Sequence, residues 1–297
     1  MSRLQANFLL IITAAIWGTS FVAQKLAGVH IPALTFTASR FLLGGVIIFP
    51  LALMEWRKLK KQNRAFTRRD WLGMLATGLV LSIGATLQQA GTVETSVTNA
   101  GFITCLYVPM VPILALLVQR VVPHPVVWPA AAMSVFGTYL LSGGGDLNFA
   151  PGDLVVLAAT LFWAAHVILV GHMSARTGAP MMVAVSQFLI AGGISGVAAP
   201  IFETVTLADF AAAWQGVVYM GVMSVGIAFT LQSVTQRWTV AADAAIILSS
   251  EALFAALGGA VILGDRLSSL QIAGCATILA SMLSVQLVPL LRSQPSN

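Results

Sequence analysis

The sequence predicts an all-α integral membrane protein, with ten transmembrane helices arranged as two inverted five-helix repeats around a central cavity. Three observations carry that expectation. Of 297 residues, 58% are hydrophobic and only 8% charged, with a mean hydropathy of +0.91; a soluble domain carries roughly a quarter charged residues. Apolar runs of about 20 residues, enough to cross a hydrocarbon core roughly 30 Å thick, recur ten times. The two halves of the chain also share short motifs in the same order.

The first run, 8–27, is too long for a cleaved signal peptide and is followed by Gln24-Lys25 without a small-residue cleavage pattern. The second, 33–54, carries Arg40, and the third, 71–91, opens at Trp71 and carries Gln88. The fourth, 97–119, holds Pro109 and Pro112, which free backbone carbonyls in mid-span; such breaks are tolerated where they pack on protein or line a cavity. The fifth, 126–143, ends at Gly143-Gly144-Gly145-Asp146, a loop with no lysine at P-loop spacing, so ATP-driven pumping is not expected. The sixth, 153–172, carries Phe162, Trp163 and His166; the seventh, 180–200, carries Gln187 and the close-packing pair Gly192 and Gly196. The eighth, 212–233, contains Gln232, the ninth, 243–263, Asp243 and Glu251, and the tenth covers 270–290. The loops between them are short and leave no room for a soluble domain.

The net charge of +5 does not indicate nucleic acid, because seven of the fifteen basic residues lie between Arg57 and Arg69, as in a cytoplasmic loop. With the N-terminus inside, the inner segments hold twelve basic residues and the outer ones only Lys25 and Arg266, so both termini are expected to be cytoplasmic. Cys105 and Cys275 sit in apolar runs and read as small core residues. Trp71, Trp128 and Trp214 lie near helix ends, where indoles anchor at the membrane interface.

The internal duplication is explicit. Ser39-Arg40-Phe41-Leu42 recurs as Ser186-Gln187-Phe188-Leu189, and Thr86-Leu87-Gln88 as Thr230-Leu231-Gln232. Trp71-Leu72-Gly73 matches Trp214-Gln215-Gly216, and Trp17 and Trp163 fall within one residue of a common register. The halves, 1–146 and 147–297, would each hold five helices; an odd number forces the second to insert upside down, the arrangement that places a transporter's site near the bilayer midplane.

On these residues the sequence resembles the drug/metabolite transporter superfamily, in particular its EamA-type exporters. Ala14-Ala15-Ile16-Trp17-Gly18-Thr19-Ser20-Phe21-Val22 is similar to the family's opening Trp-Gly stretch, and Ala38-Ser39-Arg40-Phe41-Leu42 to its second-helix Arg-Phe motif. Tyr107-Val108-Pro109-Met110-Val111-Pro112 resembles the proline-bearing fourth helix, and Leu263-Gly264-Asp265-Arg266-Leu267 the signature that ends the ninth. The halves have diverged: Gln119-Arg120-Val121-Val122 replaces that signature in the first, Leu253 stands for Pro109, and Trp163-Ala164 for Trp17-Gly18. The resemblance extends over about residues 8–290 and is nearest to the YddG-type aromatic amino acid exporters. It implies a ten-helix basket in a bacterial-type inner membrane that moves small amphipathic metabolites, most of all aromatic amino acids, outward by alternating access, with no cofactor or metal.

Charged side chains deep in a span usually face the bundle interior or a partner. Arg40 therefore suits a substrate carboxylate, or carbonyls between helices. Glu251, near the middle of its run, is the natural proton carrier, with His166 as a second proton-coupling candidate. Trp17, Phe102, Tyr107, Phe162 and Trp163 fall on helices that line the cavity if the family architecture holds, where they would stack on an aromatic ring or face an ammonium group. Gln88 and Gln187 could hydrogen-bond a zwitterion, or simply join helices. The opposing expectations are a passive channel and, from another class, an intramembrane serine protease. Gly193-Ile194-Ser195-Gly196 matches the short Gly-x-Ser-Gly stretch of rhomboid-like proteases, with His166 as the base.

Overall fold

The computed structural model describes residues 1–95, 97–144, 150–258 and 267–292. Those residues contain helices and connecting turns, with no strand among them. The motif residues Gly264, Asp265 and Arg266, the loop residues Gly145 and Asp146, and the expected boundary between the halves at 146/147 lie outside the described residues.

The chain opens with three long helices: α1 (Arg3–Gly28), α2 (Ala33–Lys61) and α3 (Arg68–Val93). The fourth run is divided into α4 (Val97–Cys105), α5 (Tyr107–Leu114) and a π-helical turn, Ala115–Gln119. After α6 (Val127–Leu141) come α7 (Pro151–Thr177) and α8 (Pro180–Phe202), each with proline in its first turn. The eighth run is α9 (Leu207–Tyr219), a ten-residue π-helical stretch Met220–Phe229, and α10 (Thr230–Thr235). Finally α11 (Ala241–Leu248) and α12 (Glu251–Gly258) precede α13 (Ser269–Arg292). Among the described residues eight segments are long and apolar enough to span a bilayer, with Ala100–Gln119 and Leu207–Thr235 each counted as one span, and α6 is a shorter apolar helix beside them. Side-chain caps fix several starts. Thr67 and Asp70 bond reciprocally at the head of α3, and Thr206 and Asp209 do the same at the head of α9, satisfying amides that the first turn leaves free.

The expectation of continuous fourth and ninth helices is corrected. α4 gives way to α5 at Leu106, where Pro109 supplies no N–H to the Cys105 carbonyl four residues back. α11 gives way to α12 at Ser249-Ser250 with no proline present; the Ser249 and Ser250 hydroxyls donate instead to the Ile246 and Ile247 carbonyls, at 2.7 and 2.6 Å. Glu251 is accordingly the first residue of α12 rather than mid-helix. The two breaks fall at matching places in the duplicated sequence, 144 residues apart, so Tyr107 and Glu251 correspond.

The long helices pack in pairs. α2 lies along α8, α6 along α13, and α3 along α7 as α1 lies along the Leu207–Thr235 segment. α2 and α8 are held at both ends by carboxylates. Glu203, after α8, accepts from the Leu34 and Thr35 amides at 2.7 and 2.8 Å, and Glu55, on α2, accepts from the Met182 amide at 2.9 Å. Arg64, Arg176 and Arg237 gather at one end of the bundle around the α7–α8 turn at Gly178. Lys25, Glu94 and Asp153 mark the other end. Lys25 Nζ donates there to the carbonyls of Thr92, Val93 and Thr95, and Thr95 hydrogen-bonds Asp153. Trp71, Trp128 and Trp214 are partly exposed near helix ends.

Candidate functional site

Between the helices lies a cavity of about 570 Å³, counting the space of its open mouth. Its walls come from α1, α2, α3, α7, the π-helical stretch and the two helix breaks. Trp17, Arg40, Gln88, Tyr107, Trp163, His166 and Glu251, all expected to serve the site, lie on its lining. Phe102, Phe162 and Gln187 do not. Phe102 packs in an apolar cluster with Phe21, Ala100 and Val156 and touches the Tyr139 ring. Phe162 turns to α3, where Gly84 makes room for it; adjacent helical residues diverge by about 100°, so Phe162 and Trp163 cannot both face inward. Gln187 stands behind the lining: its Oε1 lies 2.6 Å from His166 Nε2 and its Nε2 donates to Ser233 Oγ at 3.2 Å.

The floor of the cavity is aromatic, and its centre is Phe229, the last residue of the π-helical stretch. Its ring lies 4.6 Å from Trp17, 5.8 Å from Phe41 and His166, 6.0 Å and nearly parallel from Trp163, and 6.2 Å from Phe188. Sequence reasoning missed it, along with Gln24, Thr104 and Ser224. A signal was present for Phe229: aligning Thr230-Leu231-Gln232 with Thr86-Leu87-Gln88 sets it opposite Ala85, an aromatic where the first half has a methyl group.

Arg40 is 3% exposed. Its guanidinium sits about 5 Å from the centres of the Phe36 and Phe41 rings and makes one long hydrogen bond, 3.4 Å, to the Ala85 carbonyl. Glu251 is 7% exposed on the wall formed by α12. Among the described residues the ion pairs are Arg3–Asp243 and Arg176–Asp70, both away from the cavity, so neither Arg40 nor Glu251 has a protein counter-ion there. Several further buried polar atoms on the lining have no hydrogen-bond partner among the described residues: the indole N–H groups of Trp17 and Trp163, Arg40 Nε, His166 Nδ1, Gln24 Oε1, Thr104 Oγ1 and both amide atoms of Gln232. Leaving a buried polar group unpaired costs about 1–3 kcal/mol, so such a concentration marks a place built to meet a polar ligand.

Gly18 explains the Trp-Gly pair. A Cβ there would stand 2.5 Å from the Glu251 carbonyl oxygen and 2.8 Å from the Ala255 nitrogen, so only glycine lets α1 approach the start of α12 this closely. Trp17 enters the cavity while its neighbour seats the helix that carries Glu251. No hydrogen bond joins the serine and histidine of the protease expectation: His166 pairs with Gln187, and the Ser195 hydroxyl is buried without a hydrogen-bond partner among the described residues. Asp243 is ion-paired to Arg3 at 2.5 Å, at the head of α11.

One relative, an uncharacterized transporter of Archaeoglobus fulgidus, is 30% identical over 294 residues, which is 97% of this chain and 87% of that one. A solved crystal structure superposes with a TM-score of 0.80 at 20% identity, over 99% of this chain and the whole of the other, a likeness of fold alone. The pattern of the EamA-like transporter family matches twice, over residues 4–143 and again over 150–286, and the chain therefore belongs to that family of membrane transporters.

Proposed function

We propose that the protein exports small amphipathic metabolites, aromatic amino acids foremost, by alternating access about the central cavity between two inverted five-helix repeats. The observation that carries this reading is the lining itself: an aromatic floor around Phe229, with one cation and one carboxyl group on the walls that have no ion-pair partner among the described residues. Arg40 receives the substrate carboxylate and Trp17, Phe229 and Trp163 pack its ring. Gln88 and the Gln232 amide meet its polar atoms. Glu251 is the proton-coupling group and His166, hydrogen-bonded to Gln187, supports it. Helices broken at corresponding points of two halves are what a midplane transport site requires. The ten-span count rests on adding α6 and the α11–α12 pair to the eight long helices, in a bacterial-type inner membrane with both termini cytoplasmic.

Counterflow of labelled phenylalanine, tryptophan and threonine into proteoliposomes holding the purified protein tests the reading. Saturable exchange favouring the aromatic pair is expected. Exchange of threonine alone overturns the aromatic preference, and flux that neither saturates nor counterflows marks a passive channel. Uptake with and without a pH gradient then tests proton coupling. A gradient that alters the rate and never the final accumulation overturns antiport through Glu251.

A further inference from the structure

The two helix breaks are not independent. Cys105, the last residue of α4, and Ser249, the first residue beyond α11, correspond in the duplication, 144 residues apart, and a serine of α6 lies between them. Ser134 Oγ is 2.6 Å from Ser249 Oγ and 3.6 Å from Cys105 Sγ, and all three groups are buried. The proton inventory sets the direction of the chain. Ser249 gives its single hydroxyl proton to the Ile246 carbonyl, so Ser134 must donate to Ser249, which leaves Ser134 Oγ free to accept from the Cys105 thiol. Thr138, one turn further along α6, has its single hydroxyl proton within reach of both Cys105 Sγ, at 3.2 Å, and the Ser134 carbonyl, at 2.9 Å, and so holds the thiol from the same helix as a shared donor. A second link crosses beside it: the Tyr107 hydroxyl, just past the first break, donates to the Ala245 carbonyl in α11 at 3.3 Å.

We propose that Ser134 is a positioning residue that ties the two helix breaks into one unit, so that Tyr107 and Glu251, the residues that follow them and line the cavity, move together during transport. This rests on the transport reading above. Hydrogen bonds in a buried row polarise one another, and removal of one member leaves its neighbours unsatisfied in an apolar interior, so the row favours two arrangements, made or broken, over intermediate ones. α6 itself is clamped to α13 through Gly137 and Gly274, each of which would drive a Cβ into the other's backbone, so Ser134 is presented from a fixed support.

The experiment uses the full chain with Cys275→Ser, which leaves Cys105 as the single thiol. Alkylation of Cys105 by N-ethylmaleimide is timed in the parent, in Ser134→Ala and in Ser249→Ala. Ser249 has no bond of its own to Cys105, so an effect of Ser249→Ala on the thiol reports transmission through Ser134. A rise of about fivefold or more in both variants is expected from the loss of one buried hydrogen bond. In proteoliposomes, Ser134→Ala lowers the maximal rate of phenylalanine exchange about tenfold with little change in half-saturation, Ser134→Thr retains most of the rate, and the double variant is no slower than either single one. Where Ser134→Ala fails to fold, Ser249→Ala on the same row carries the comparison. An unchanged Cys105 rate in Ser249→Ala, or losses that multiply in the double variant, overturns the coupling. A parent that exchanges none of the amino acids overturns the transport reading alone, because the thiol comparison needs no transport.

Discussion

At the scale of single residues, the lining of the cavity falls into two sets, aromatic side chains and charged ones, which the proposed function assigns to a substrate's ring and its charged ends. Phe229 belongs to the first set: five aromatic or imidazole rings lie within about 6 Å of it. An aromatic contact contributes about 0.5–1.5 kcal/mol beyond buried area. Phe229→Leu keeps most of the volume and removes the ring, so phenylalanine binding should weaken about three- to tenfold with threonine binding unchanged, measured by quenching of tryptophan emission. Equal losses for both ligands would make Phe229 a packing residue only. Arg40 belongs to the second set. A charged hydrogen bond contributes about 1.5–3 kcal/mol, so Arg40→Gln should weaken phenylalanine binding about ten- to a hundredfold and leave phenethylamine, which lacks the carboxylate, unaffected. Both ligands weakening alike would place Arg40 in the scaffold. Arg40 and Glu251 were legible in the sequence because a charge within an apolar run is conspicuous. Phe229 was not, because a phenylalanine in such a run carries no mark of which way it faces.

Hydropathy located the long helices at the scale of elements because the bilayer imposes length directly on sequence: α3 and α8 start and stop within about three residues of their apolar runs, whereas α1 begins five residues earlier and α2 and α7 run on seven and five residues further, into polar sequence that hydropathy does not mark as helical. It could not show that the ninth run is broken. A proline announces the first break, but the second depends on Ser249 and Ser250 turning their hydroxyls back onto their own helix, and serine does that only where tertiary packing favours it. The π-helical stretch Met220–Phe229 has no hydropathy signature at all. Helix seating carries its own prediction. Because a Cβ on Gly18 would sit 2.5 Å from the Glu251 carbonyl, Gly18→Ala must displace α1 from α12, and overpacking of this kind costs about 1–3 kcal/mol. The melting temperature in detergent should fall by several degrees, whereas Gly193→Ala, where a Cβ meets nothing within 4 Å, should leave it unchanged. Equal shifts in both would show that helix propensity, and not the α1–α12 contact, decides the outcome.

The asymmetry of charge across the whole molecule decides how the bundle sits in its bilayer. Arg57, Lys58, Lys60, Lys61, Arg64, Arg68 and Arg69 are all exposed where α2 turns into α3, and Arg176 and Arg237 join them from the second half, so both halves put cations at the same end. Short loops rich in lysine and arginine stay on the cytoplasmic side, because basic segments are held back during insertion. At the opposite end the cation Lys25 is occupied by three backbone carbonyls, while Glu203 and Asp209 serve as helix caps, so among the described residues no free lysine or arginine opposes that orientation. Exposed residues at the two ends give the test. In a chain with Cys105→Ala and Cys275→Ser, a cysteine replacing His30, in the α1–α2 turn, should react with a membrane-impermeant thiol reagent in intact cells. A cysteine replacing Asn63, in the α2–α3 turn, should react only after the membrane is opened. The reverse pattern would invert the molecule and turn the proposed export into import. Labelling of both in intact cells would mean dual insertion, and since the two halves are themselves proposed to be inverted copies, the basic α2–α3 loop is the feature that must prevent it. Replacing its lysines with glutamine should then raise labelling at Asn63→Cys in proportion to the charge removed.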